Sequence, residues 1–223
     1  MTAVSNLKTK ARRKEYANSA ERRQRNNLAD IPAGTSYYDV KFGTMVHKIN
    51  EGGFCVLSRT DHLIMTTLGS CISVCMFDPV LKVGGMNHFL LPQDNSNDPL
   101  NSFNLRYGNN AMETLLNEIL KRGGQKSRLV LKAFGAGNVL NISANIGAKN
   151  QAFLTQYIAD EGMTLDICDL GGKLPRGVIF YPATGKAFVK LLHRSSDGKI
   201  GRQEEKFRQK IEKQHVSGAI ELF

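Results

Sequence analysis

Thr66-Thr67-Leu68-Gly69-Ser70-Cys71-Ile72-Ser73-Val74-Cys75-Met76-Phe77-Asp78-Pro79, followed by Gly84-Gly85-Met86-Asn87-His88-Phe89-Leu90-Leu91-Pro92, reads as strand, tight turn, strand. A β-rich apolar run meets a turn dipeptide at Asp78-Pro79 and resumes as a second apolar run punctuated by two glycines. With Asp78 and Leu81 as the ends of the turn, the hairpin sets Cys71 directly opposite His88. Facing side chains of an antiparallel pair share one face with Cβ atoms about 4.5 to 5.5 Å apart, close enough for a thiol and an imidazole to share a proton. Two alternatives stand beside this register. A bulge at Gly84-Gly85 slips the pairing by one residue and sends the two side chains to opposite faces. Or Gly69-Ser70-Cys71 opens a helix, whose free N–H groups lower the thiol pKa and serve as oxyanion donors. A buried structural cysteine and a satisfied core histidine are the commoner fates of both residue types, so the pairing has to be weighed against the rest of the chain.

Upstream of the hairpin, Tyr37-Tyr38-Asp39-Val40, Thr44 to Ile49 and Phe54 to Leu57 are strand-like, with Glu51-Gly52-Gly53 as a turn. His47 and His62 stand alone in polar surroundings and read as surface residues. Downstream, Gln93 to Ser102 is a loop by composition and a candidate rim for a site on the preceding strand. Asn110 then starts a helix: Met112, Leu115, Leu116, Ile119 and Leu120 follow one buried face, Glu118 and Arg122 are spaced for an ion pair, and Gly123-Gly124 ends it. Leu129 to Phe134 is an apolar strand leading to Gly135-Ala136-Gly137, which lacks the third glycine and acidic residue of a dinucleotide site and is expected to bring its backbone close to the catalytic strands. A second helix is expected from Ile146 to about Glu161. Leu165 to Leu170 alternates as a strand with Cys168 as a core thiol, and Val178 to Tyr181 with Ala187 to Val189 form a second hairpin. These elements predict an α+β layered fold, a central mostly antiparallel β-sheet or sandwich flanked by two main helices.

At 223 residues the chain is long enough for one domain, 37–195, with a basic arm over 1–36 and a charged tail over 196–223. The net charge of +10 suggests a nucleic-acid binder, but Met1 to Gly34 alone carries eight basic against three acidic side chains, and no RNA-binding motif accompanies them. No nucleic acid is expected as a partner. No apolar run is long enough to span a bilayer and no signal-peptide core follows the basic start, so the expected location is cytoplasmic. Cys55, Cys71, Cys75 and Cys168 lack metal-finger spacing and are expected to be free thiols; no metal and no cofactor are expected. In the tail, Glu204 to Gln214 is charged throughout and a candidate helix, with Phe207 and Ile211 as an apolar i, i+4 pair suited to docking on a partner or on the body.

Leu68-Gly69-Ser70-Cys71, Val74-Cys75, Asp78-Pro79, Gly84-Gly85-Met86-Asn87-His88-Phe89 and Leu91-Pro92 closely resemble the CheD family of chemoreceptor glutamine deamidases. Arg106 to Asn109, Lys132 to Val139, Ile146 to Asn150 and Tyr181 to Lys186 are similar to that family as well, so the resemblance runs from about Tyr37 to Leu192. It implies that Cys71 is the nucleophile and His88 its base. Family members also carry a functional threonine a few residues before the cysteine. Ungapped counting puts Met65 there, and the role is assigned to its neighbour Thr66. Ser70, Gly69 and Asn87 are the candidates for substrate and oxyanion contacts. The resemblance further implies deamidation of selected glutamines on cytoplasmic helices of methyl-accepting chemotaxis receptors, and in some lineages binding to a CheC phosphatase. A non-catalytic receptor-binding adaptor, gripping the same helices without turning them over, is the competing reading.

Overall fold

The computed structural model describes residues 34–58, 62–91, 102–139, 146–192 and 197–217. Along them run β1 (Gly34–Asp39), β2 (Thr44–Ile49), β3 (Phe54–Leu57), β4 (His62–Leu68), β5 (Ile72–Asp78) and β6 (Val83–Asn87). Then come α1 (Ser102–Lys121), β7 (Val130–Gly135), α2 (Ile146–Asp160), β8 (Leu165–Leu170), β9 (Arg176–Tyr181), β10 (Lys186–Leu191) and α3 (Asp197–Ser217). The strands form two five-stranded sheets, β1-β2-β4-β9-β10 and β3-β6-β5-β7-β8. Both are mixed: β2 pairs β4 and β7 pairs β8 in parallel, and the remaining pairs are antiparallel.

Strand β5 explains the layering. All seven of its residues are buried, as expected of a strand covered on both faces. Ile72, Val74 and Met76 pack with Met112, Leu115 and Ile119 of α1 and Phe153 and Leu154 of α2. Cys75 and Phe77, on the opposite face, join Ile49, Ile64, Leu68, Val178 and Phe180 of the other sheet. The molecule is therefore sheet on sheet on helices, an α+β layered fold with α1 and α2 against the outer face of the second sheet. Cys71, just before β5, and Thr66, on β4, both belong to the space between the sheets.

The hairpin register differs from the sequence expectation. Asp78 faces Val83 rather than Leu81, and beyond the strand ends Ile72 bridges Phe89. The Asp78 carboxylate is the cause: Oδ1 accepts the Val80 and Leu81 N–H groups at 2.9 and 3.2 Å, and Oδ2 accepts Gln125 N–H and the Arg128 guanidinium. That folds Pro79 to Lys82 into a four-residue loop, closed by Lys82 at φ +54°. The slip is two residues, so every side chain keeps its face, and Cys71 and His88 become diagonal rather than direct neighbours. No helix opens at Gly69-Ser70-Cys71.

Other expectations are also revised. Helix α1 starts at Ser102, eight residues before Asn110. The Glu118–Arg122 pair is present at 2.7 Å, and Gly123, at φ +86°, turns the chain out of the helix. The loop over 93–101 lies outside the described residues, as does the basic arm up to 33, while Gly34 to Ser36 already belong to β1. His47 is buried rather than superficial, bonding Ser36 Oγ at 2.8 Å and His62 at 2.9 Å. Cys168 is exposed, because β8 is an edge strand of its sheet. No described helix is long and apolar enough to cross a membrane.

Candidate active site

Gly69, Ser70 and Cys71 form the crossing between β4 in one sheet and β5 in the other. Their three carbonyls are all engaged on one side. Gly137 N–H donates to Gly69 O at 2.7 Å, Asn150 Nδ2 to Ser70 O at 2.8 Å, and Ala136 N–H to Cys71 O at 2.7 Å. Asn150, buried in α2, also accepts Leu91 N–H at 2.8 Å and so joins the end of the second hairpin strand to the crossing. Gly135 permits this approach: at φ +119°, any Cβ there would stand 2.1 Å from Cys71 O. The Gly135-Ala136-Gly137 segment is thus a strap behind the cysteine.

With the carbonyls held behind, the three N–H groups turn forward together, a backbone nest suited to an anion. One anion fills it. Glu204 of α3 accepts Gly69 N–H at 2.9 Å and Cys71 N–H at 3.1 Å on Oε1. Its Oε2 accepts Ser70 N–H at 3.0 Å and Ser70 Oγ–H at 2.7 Å. Sequence reasoning gives Glu204 no role beyond its place in the charged tail; the signal that marks it is its position between Ile200 and Phe207 on one helical face.

His88 sits beside this cradle. Thr66 Oγ1 donates its single proton to Ile49 O at 2.9 Å, so at the 2.8 Å contact with His88 Nδ1 it must accept. The Nδ1 atom therefore carries the hydrogen and Nε2 the lone pair. Nε2 is buried and has no hydrogen-bond partner among the described residues. Cys71 Sγ, a His88 ring nitrogen and a Glu204 carboxylate oxygen lie within 4.8 Å of one another. Thiolate, imidazole and carboxylate are also the donor types of a zinc-like ion, although Glu204 is already saturated by N–H and O–H donors. Cys75 is not part of the trio.

Electrostatically the group is quiescent. Burial raises the Cys71 thiol well above its ordinary value, and the Glu204 and Glu51 carboxylates add to this. Burial also lowers His88, against the pull of the two carboxylates. Glu204 is penalised by burial, yet hydrogen bonds from Cys71 and Ser70 hold it below the usual range. All three directions favour thiol, neutral imidazole and carboxylate.

Of the residues singled out in the sequence, Cys71, His88, Thr66, Ser70 and Gly69 come together. Asn87 does not point into the cradle: its Oδ1 accepts Val74 N–H at 2.9 Å and its Nδ2 donates to Ala111 O at 3.1 Å, tying β6 to β5 and α1.

Comparisons with known proteins agree on a family. A family profile described as CheD chemotactic sensory transduction matches residues 90–191, a span that starts just after His88. A protein of Rhodopseudomonas palustris (strain BisA53) named "Probable chemoreceptor glutamine deamidase CheD" is 42% identical over 188 residues, 84% of this chain and 88% of that protein. Proteins of the same name from Halorhodospira halophila and Methylobacillus flagellatus are 42% and 39% identical, over 84% and 89% of this chain and 88% and 99% of their own lengths.

Proposed function

The chain belongs to the CheD family, and from that premise we propose that it hydrolyses the side-chain amide of selected glutamines on cytoplasmic helices of methyl-accepting chemoreceptors, with Cys71 as nucleophile and His88 as base. The product is glutamate, a methylatable carboxylate, and the process serves adaptation in chemotaxis. The observation that carries the reading is the tautomer imposed on His88: a lone pair on a buried nitrogen beside a thiol and a row of N–H donors.

In the reaction, His88 Nε2 takes the Cys71 proton as Sγ adds to the glutamine Cδ. The C–S bond forms, and the oxygen takes up negative charge between the Gly69 and Cys71 N–H groups, each such donor being worth about 3 kcal/mol. The C–N bond then breaks as imidazolium returns the proton to the departing ammonia. Water, deprotonated by the same nitrogen, attacks the thioester, the C–S bond breaks, and glutamate and free thiol remain. Thr66 fixes the ring in the orientation and tautomer that both halves require.

Receptor fragments incubated with the wild-type chain should gain about 1 Da per converted glutamine and release ammonia, and Cys71→Ala should abolish both. An adaptor would bind equally well as wild type or variant and alter no mass. Fragments left unchanged by the wild-type protein would refute the deamidase reading.

A further inference from the structure

Ile200, Glu204 and Phe207 share one face of α3, spaced i, i+4 and i+7. Ile200 is buried, and Phe207 packs against the inter-sheet cluster that includes Ile49, Cys55 and Met86. A Cβ on Gly52 would stand 2.7 Å from the Phe207 ring and 3.4 Å from Tyr107 Oη, so the ring lies over the β2–β3 turn. Gly52 N–H in turn donates to His88 O at 2.8 Å. Between these two apolar anchors Glu204, 7% exposed, reaches the cradle, where glycine at position 69 is what lets it approach: a Cβ would meet its carboxylate at 2.9 Å. Cys71 beneath has no exposed surface.

We propose that α3 is a built-in product mimic: it fills the groove that receives the substrate helix, seats Glu204 where a newly formed glutamate would lie, and closes the site until it lifts away. This rests on the deamidase reading above. The seat discriminates by charge and hydrogen bonding. A carboxylate accepts all four donors, whereas a carboxamide accepts only through its oxygen and sets its NH₂ against a backbone N–H, so the groove holds product-like groups more firmly than substrate-like ones. Burial raises the Cys71 thiol, and the same carboxylate raises it further.

The proposal makes an unusual demand on one variant. Glu204→Gln, in the full-length chain, converts α3 from product mimic into substrate. Sγ of Cys71 adds to Cδ of the introduced glutamine, the C–N bond breaks with loss of ammonia, and water restores the original glutamate. Peptide mass spectrometry should therefore find residue 204 gaining about 1 Da in a first-order process independent of protein concentration, and the double variant with Cys71→Ala should keep the carboxamide. Glu204→Ala should raise kcat/KM on receptor fragments at least about tenfold, since more of the protein is open. If Glu204→Gln converts receptor glutamines but leaves its own carboxamide at position 204 intact, or converts it only in a concentration-dependent manner, the mimic is refuted and the deamidase stands. An unchanged or lower kcat/KM for Glu204→Ala refutes the closure. If neither receptor nor residue 204 is converted, the deamidase reading falls and takes the mimic with it.

Discussion

A hydroxyl group has one proton to give. Thr66 gives its own to Ile49 O, and that choice, made between β4 and β2, determines which nitrogen of His88 can act as a base. Thr66→Val keeps the shape and removes the acceptor. We expect kcat/KM on a receptor fragment to fall about tenfold to hundredfold, mostly in kcat, with circular dichroism unchanged, as for other groups that orient a functional imidazole. Thr66→Ser should recover most of the loss, and a valine variant as active as wild type would deny the residue its positioning role. That Cys71, His88 and Thr66 come together is legible in the sequence, the first two from a strand–turn–strand pattern and all three from resemblance. The same pattern speaks against Asn87 as a site residue: successive residues of a strand point to opposite faces, so a neighbour of His88 turns away from it, and Asn87 points to α1.

The turn that joins β5 to β6 shows why the register is not legible. Nothing in the dipeptide Asp78-Pro79 announces that its carboxylate will be held from Gln125 and Arg128, some fifty residues away. This buried carboxylate has its pKa lowered to about 2, chiefly by the Arg128 hydrogen bonds. A carboxyl lowered on folding contributes stability that is complete above its ordinary pKa and disappears as pH falls through the folded value. The wild-type chain should therefore lose stability between about pH 4 and pH 2 through Asp78, and Asp78→Asn should lack that part of the acid loss. At neutral pH the variant should be about 2 kcal/mol less stable, judged by urea denaturation, because Arg128 loses a charged partner. A variant as stable as wild type would remove the turn's proposed anchor. The strap makes a second demand of the same kind. Gly135→Ala forces a Cβ against Cys71 O, so either the strap or the cysteine must move. Amidase activity should drop at least about tenfold even where the variant folds, since a displacement of about 1 Å at a reacting group costs that much or more.

Over the whole molecule the four cysteines report on how the site is closed. Cys168 is exposed, Cys55 and Cys75 are buried with their thiols raised, Cys55 to about 12, and Cys71 is sealed under α3. Alkylation by iodoacetamide, followed peptide by peptide, should be fast at Cys168 and slow at the other three. Phe207→Ala, which removes an anchor of α3, should speed modification of Cys71 at least about tenfold while Cys55 and Cys75 stay slow and the melting temperature changes little. Equal rates at Cys71 in both proteins would mean that α3 does not cover the sulfur. The layered α+β architecture, both hairpins and helix α2 are readable from hydrophobic spacing. The exchange of strands between sheets is not; of α3 the sequence offers Phe207 as a docking residue but not the place where it docks nor the contact of Glu204 with Gly69, Ser70 and Cys71, because local patterns carry no information about partners more than a hundred positions away.

That exchange bears on how the protein comes into being. The chain lays β2 in one sheet, β3 in the other, β4 back in the first and β5 again in the second, with β2 and β4 paired in parallel. Contacts so distant in sequence slow folding, into the millisecond-to-second range for topologies dominated by them. Cys71, His88 and Thr66 are brought together across the same interface, with Thr66 on one side and the Cys71 crossing strapped from α2 and the end of β7 on the other. A nascent or half-folded chain consequently lacks the grouping of Cys71, His88 and Thr66, which exists only once the two sheets have met.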